Sequence, residues 1–122
     1  MVEKIVNIDG KGVRFKASAA IPRLYRLKFR RDIFKDLTKL EKAYSDKSEG
    51  GFEIDDLEIF ENVAYIMAAH ADENVPPTIN EWLDQFGMFS IYEVLPEILE
   101  LWGSNLFTDV EAKKNSGKPT GN

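Results

Sequence analysis

The polar and apolar pattern at residues 4–17 predicts a β-hairpin. The dipeptide Asp9-Gly10 follows Ile8, and this pair between apolar runs is a strong signal for a two-residue hairpin turn. After the turn, apolar and basic residues alternate over residues 13–17, which is the period of a half-buried strand. Since a lone hairpin is only marginally stable in water, we expect it to pack on helices or to extend another sheet.

Apolar residues at helical spacing predict two helices after the hairpin. Pro22 suits the first turn of a helix, so we expect a short helix near residues 22–29. The spacing shifts at residues 29–32, where Asp32 suits the N-cap of a longer helix near residues 32–45. The apolar positions of this segment are Leu24, Leu27, Ile33, Phe34, Leu37, Leu40 and Tyr44.

A third amphipathic helix is predicted near residues 55–71, after a loop around Gly50-Gly51. Its first turn is acidic, which suits the positive end of the helix dipole. We expect one face of this helix to be buried. The residues on that face are Leu57, Phe60, Ala64, Met67, Ala68 and Ala71.

Two capping-box patterns predict further helix starts. The pattern T-x-x-E at residues 78–81 precedes a short helix, which we expect Gly87 to end. The pattern S-x-x-E at residues 90–93 precedes a second apolar segment. Pro96 falls inside that segment, so either a kink or a late helix start is expected there.

These elements together predict an α+β, mainly α fold, in which an N-terminal β-hairpin is followed by a bundle of four to five helices. The chain has 122 residues and 43% hydrophobic residues, which fits one globular domain over residues 1–112. Residues 113–122 contain no apolar side chain. We therefore expect these last residues to form a flexible, disordered tail.

Charge is distributed very unevenly along the chain. Residues 1–48 contain 13 Lys and Arg against 6 Asp and Glu, a net charge of +7. Residues 49–112 contain no Lys or Arg and 15 Asp and Glu, a net charge of −15. One interpretation is that the two halves attract each other within one fold. The other is that faces of opposite charge steer partners or self-association.

The composition offers little for catalysis or cofactor binding. The chain has no cysteine, which excludes disulfides, thiolate catalysis and cysteine-based metal sites. The single histidine, His70, lacks the neighbours of a triad or a zinc site, and Gly10-x-Gly12 lacks the third glycine of a dinucleotide loop. We expect no enzyme, no cofactor and no metal site. No run of about 20 apolar residues exists, so we expect no membrane partner.

Basic residues interleaved with aromatic ones over residues 23–42 support two binding hypotheses. They would suit nucleic-acid phosphates, although the acidic remainder of the chain would repel them. A solvated helix face or a site for an acidic protein partner fits the composition better. Each tryptophan is either a core anchor, which we favour, or an interface anchor. The candidate partner-binding residues are Arg26, Phe29, Arg30, Arg31, Trp82 and Trp102.

Four stretches of the sequence carry a family resemblance. They are YRLKFRRDIFKDL (25–37), FENVAYIMAAHAD (60–72), EWLDQF (81–86) and IYEVLPEILELWGSN (91–105). With the preceding hairpin, they make the chain resemble the tail assembly chaperones of long-tailed phages and prophages of Gram-positive bacteria. The resemblance covers about residues 4–114. One position departs from it, because Arg30 stands where we expect glycine after the phenylalanine.

The resemblance implies a role without catalysis. Such proteins bind the tape measure protein while the tail is built, keep its helical, apolar surface soluble, and help recruit tail tube protein subunits. It implies a location in the host cytoplasm and absence from the mature virion. The separation of charge makes self-association a further hypothesis. Two other functions stay open: a small nucleic-acid-binding regulator that uses residues 23–42, and a structural or adaptor component of the tail.

The family commonly makes a second, longer product by programmed translational frameshifting near the end of the short form. Lys113-Lys114-Asn115 is a candidate for an A-rich slippery run here. The codons of the gene test this hypothesis, because AAG codons at the two lysines would break the run.

Overall fold

The protein is described by a computed structural model over residues 2–45 and 53–101. Its architecture confirms the predicted α+β, mainly helical fold with an N-terminal hairpin. The predicted tail, Trp102 and the candidate slippery run lie outside the described residues. The elements are β1 (Val2–Ile8), β2 (Lys11–Ala17), α1 (Ala20–Phe29), α2 (Ile33–Ser45), α3 (Ile54–Ala71), α4 (Ile79–Leu83), a 3-10 helix (Ser90–Val94) and α5, which covers residues 95–101.

The two strands form an antiparallel hairpin whose turn is the one that the sequence predicts. The register runs from Val2 opposite Ala17 to Ile8 opposite Lys11, which leaves a two-residue connection. Both connecting residues have positive φ, 55° at Asp9 and 82° at Gly10. Two successive left-handed residues define a type I′ turn, whose twist matches that of the strands.

Helix α3 lies at the centre of the molecule. Strand β2 packs against it, and so do α1, α2 and α4. Because neighbours cover several sides of α3, Ile59, Val63 and Ile66 are buried in addition to most of the predicted face. Leu57 is 37% exposed, so its predicted place in the buried face is wrong. It lies in the first turn of the helix, close to exposed acidic residues.

The hairpin packs on the helices through an aromatic cluster. This is one of the two arrangements expected from the sequence, because an isolated hairpin is only marginally stable. Phe15 of β2 is fully buried and meets the ring of Trp82 edge-on, with ring centroids 6.4 Å apart. Trp82 also makes edge contacts with Tyr65 and Phe86, at 5.7 and 5.4 Å between centroids. This cluster joins the hairpin, α3 and α4 into one core.

Two of the predicted helix caps are present. The Asp32 carboxylate accepts a hydrogen bond from the backbone N–H of Phe34 at 2.9 Å, which confirms the start of α2. The Thr78 hydroxyl accepts one from the backbone N–H of Glu81 at 3.2 Å, which confirms the start of α4. Helix α4 ends at Leu83, however, and not at Gly87 as the sequence predicts.

The second predicted capping box, at residues 90–93, is wrong. The Ser90 hydroxyl does not cap a helix but donates a hydrogen bond of 2.6 Å to the carboxylate of Asp9 in the hairpin turn. The same carboxylate accepts a 2.7 Å hydrogen bond from the backbone N–H of Gly87. Residues 90–94 form the 3-10 helix, and α5 begins at residue 95. Pro96 therefore lies in the first turn of α5, which is the late start predicted as one of two alternatives.

Ion pairs join the basic and acidic halves of the chain. Lys4 of β1 pairs with Glu97 and Glu100 of α5. Lys39 of α2 pairs with Asp56 at the start of α3. These contacts support the interpretation that part of the separated charge acts within the fold.

No helix among the described residues has the length and apolar character needed to cross a bilayer.

Candidate partner-binding cleft

A left-handed residue separates α1 from α2 and shapes the surface around it. Arg30 ends α1 with φ 59° and ψ 40°, and its backbone N–H donates to the carbonyl of Arg26 at 2.8 Å. This conformation costs a residue with a Cβ about 1–2 kcal/mol, and glycine usually takes the position. The break that the sequence predicts between the first two helices is confirmed.

An open cleft of about 600 Å³ lies between α1 and the first turn of α2. It brings together three of the six candidate partner-binding residues, all of them arginines. Volumes of about 300–1,000 Å³ are typical of clefts that hold a ligand. The lining residues are Pro22, Arg26, Arg30, Arg31, Asp32, Ile33 and Phe34.

The three arginines of the cleft differ in their partners. Arg31 donates two hydrogen bonds to the carboxylate of Asp36, with Nε–Oδ2 at 2.7 Å and Nη2–Oδ1 at 2.9 Å. Among residues 2–45 and 53–101, Arg26 and Arg30 have no ion-pair partner. The positive charge that the cleft offers to a ligand therefore comes mainly from Arg26 and Arg30.

Asp36 holds Arg31 in place from inside the protein. Its side chain is buried, with 5% of the residue exposed, and it also accepts a 2.7 Å hydrogen bond from the Tyr25 hydroxyl. Burial acts to raise the pKa of Asp36, but the hydrogen bonds from Arg31 and Tyr25 and the charge of Arg31 outweigh it. The pKa consequently lies below its ordinary value, and Asp36 is an anion at neutral pH.

Apolar side chains lie beside the arginines. Phe34 lines the cleft and is 50% exposed, whereas Ile33 is buried beneath it. Leu27, on the outer surface of α1, is 57% exposed. The exposure of Phe34 differs from the core position that its helical spacing suggests. Phe34 belongs to the basic and aromatic segment 23–42 of the nucleic-acid hypothesis but is not one of the six candidate partner-binding residues. The predicted helix break at residues 29–32 is the signal that could have added it.

A smaller cleft of about 180 Å³ lies on the other side of Arg31 and has a different character. Phe29, another candidate, lines it and packs on Tyr25 with ring centroids 4.9 Å apart. Carboxylates of α3 contribute to the same lining. Acidic and basic surfaces thus adjoin at Arg31. The complete lining is Phe29, Arg31, Asp55, Glu58, Ile59 and Asn62.

The other residues singled out in the sequence lie elsewhere. Trp82 is 1% exposed, so it lies in the core, the role that the sequence analysis favours, and a role in partner binding stays a prediction. The indole contacts Phe15 of the hairpin on one side and Tyr65 of α3 on another. The ring of His70 lies 3.2 Å from the hydroxyl of Ser18, joining α3 to the junction after β2.

The acidic start of α3 serves the fold. Asp56 is buried, accepts the backbone N–H of Glu53 at 2.9 Å and pairs with Lys39. Within the described residues, no group of three or more His, Cys, Asp and Glu side chains is arranged to hold a metal ion.

No family model, no curated protein and no solved structure matches this chain.

Proposed function

We propose that this protein is a tail assembly chaperone that binds the tape measure protein during phage tail assembly. It keeps the tape measure protein soluble and helps recruit tail tube subunits. The family resemblance of residues 25–37, 60–72, 81–86 and 91–105 supports this function. The structural observation that carries it is the cleft between α1 and α2, where Arg26 and Arg30 lie beside the half-exposed ring of Phe34.

A cleft of this kind suits an extended helical client. Amphipathic helices bind by laying their apolar face in a groove between helices, while charged residues at the rim fix orientation. The cleft has both components. Met88 and Phe89, on the loop before the 3-10 helix, are 78% and 73% exposed and would give the client a second apolar contact.

The proposed role places the protein in the host cytoplasm and outside the finished particle. Such a chaperone binds the tape measure protein only until tail tube subunits cover it, and the chaperone then dissociates. Mass spectrometry of purified virions tests this part of the proposal. Stoichiometric amounts of the chain in virions would favour a structural tail component instead.

Co-expression with the tape measure protein tests the main proposal. We expect the tape measure protein to move from the insoluble to the soluble fraction and to co-purify with the tagged chain. The Trp82→Ala variant, which disrupts the core, serves as a non-folding control. An insoluble client and no co-purification with the folded wild-type chain would refute the proposal.

A further inference from the structure

We propose that the cleft between α1 and the start of α2 binds an acidic amphipathic helix of a protein partner. An apolar side chain of that helix packs on Phe34, and carboxylates beside it pair with Arg26 and Arg30. That this helix belongs to the tape measure protein rests on the proposed function.

Charge complementarity identifies the occupant as acidic. Arg26 lies in the last turn of α1, Arg30 is the left-handed residue that ends the helix, and both line the cleft. Neither has an ion-pair partner within the described part of the chain. Two unpaired guanidinium groups that line one cleft suit the carboxylates of an acidic partner, and each group can form bidentate hydrogen bonds with a carboxylate.

The apolar part of the lining identifies the occupant as amphipathic. Pro22 and the ring of Phe34 line the same cleft as the arginines, with buried Ile33 behind them. A cleft of about 600 Å³ accepts a few side chains and not a whole domain. A helix with an apolar residue at one position and carboxylates three or four residues away presents both groups on one side.

The surroundings favour a peptide over a nucleic acid. Arg31 is already paired with Asp36, so it has less charge to offer a phosphate. Asp55 and Glu58 line the neighbouring cleft and would repel a phosphate chain that runs past Arg31. The lining of the proposed cleft has one carboxylate, Asp32, against three arginines, so a short acidic helix that stays within this cleft meets less repulsion.

Binding of designed peptides to the full chain tests the inference. The probe is a fluorescein-labelled 20-residue helical peptide of Ala, Glu, Leu and Phe, with Leu and Phe on one face and Glu beside them. The matched peptides carry Lys in place of Glu, or the same residues in scrambled order. Arg26→Glu combined with Arg30→Glu removes the proposed contacts. Lys16→Glu combined with Lys42→Glu makes the same change in net charge outside the cleft.

We expect the acidic amphipathic peptide to bind the wild-type chain, and to bind the Arg26/Arg30 variant at least about tenfold more weakly. The Lys16/Lys42 variant should bind within about twofold of the wild type. Phe34→Ala should weaken binding, whereas Ile5→Ala, an exposed apolar residue of β1 that does not line the cleft, should not. Circular dichroism establishes that each variant is folded, and the neutral pair Arg26→Gln with Arg30→Gln replaces the Glu pair if that pair is not.

Three outcomes would overturn the inference. They are equal binding of the scrambled or Lys-containing peptide, equal loss in the two charge-reversal variants, and tighter binding of a 20-nucleotide single-stranded DNA at the same arginines. If the Arg26/Arg30 variant still solubilises the tape measure protein like the wild type, the cleft assignment fails while the proposed function stands. If the wild-type chain binds the peptide but not the tape measure protein, the function fails while the cleft assignment stands.

Discussion

The hydroxyl of Tyr25 lies 2.7 Å from the carboxylate of Asp36, and this hydrogen bond joins α1 to α2 inside the core. The same carboxylate holds Arg31 at the surface through two further hydrogen bonds. A chain of contacts therefore runs from the buried ring of Tyr25 to the wall of the cleft. The geometry of the cleft depends on it, because α1 and α2 form the two sides.

Removing the Tyr25 hydroxyl should destabilise the fold. Tyr25→Phe leaves a buried carboxylate with one hydrogen bond fewer, so we expect the free energy of unfolding to fall by about 1–2 kcal/mol. Denaturant unfolding measures the loss. Tyr92→Phe is a matched control, because Tyr92 donates a 2.8 Å hydrogen bond to Glu61 in a less buried place. Equal losses in the two variants would contradict the special role of the Tyr25–Asp36 contact.

Stability should fall in acid partly because of Asp36. Its pKa is lower in the folded protein than the unfolded value of about 3.9, so its contribution is present above pH 4. That contribution is lost as the pH falls through the folded pKa. We expect Asp36→Asn to be less stable at pH 7 and to lose less further stability between about pH 5 and pH 2. Urea unfolding across this range gives the slopes, and parallel slopes for the two proteins would show that Asp36 does not contribute.

Glycine at position 30 should stabilise the protein. Arg30 has φ 59°, where a side chain is strained, and Arg30→Gly removes that strain. We expect a gain of about 0.5–1 kcal/mol in the free energy of unfolding relative to Arg30→Ala. The alanine variant is the matched control, since it also lacks the guanidinium but keeps the Cβ. An alanine variant as stable as the glycine variant would mean that the strain is absent.

The hairpin turn should hold the loop before the 3-10 helix. Asp9 accepts hydrogen bonds from the Gly87 N–H and the Ser90 hydroxyl, and these contacts lower the pKa of Asp9. Asp9→Gly keeps a residue that tolerates positive φ but removes both bonds. We expect faster hydrogen exchange at the Gly87 amide, with Ser90→Ala showing a smaller effect. Unchanged exchange at Gly87 in the Asp9 variant would argue against this contact.

Local signals in the sequence predict the elements well. The Asp9-Gly10 turn requires two left-handed residues, and Asp32 and Thr78 cap helices through backbone groups two or three residues away. In each case the residue and its partner are close in the sequence, so the pattern contains the whole interaction. The fold class follows from these elements.

Contacts between distant residues could not be predicted in the same way. Ser90 lies in an apparent capping box, but its partner is Asp9, 81 positions earlier in the chain. Leu57 fits the helical period of α3 but is 37% exposed, because the cover of the first turn depends on elements that are distant in the sequence. The arginines of the cleft were identified from composition and resemblance, whereas the apolar contribution of Phe34 depends on how α1 and α2 meet.

The fraction of tape measure protein that remains soluble on co-expression tests the central claim most directly. Three forms of the chain are compared: wild type, Arg26→Glu with Arg30→Glu, and Lys16→Glu with Lys42→Glu. If the protein is a tail assembly chaperone that acts through the cleft, the wild type and the Lys16/Lys42 variant should keep the client soluble. The Arg26/Arg30 variant should leave most of it insoluble. A client that is equally insoluble with and without the wild-type chain would contradict the account.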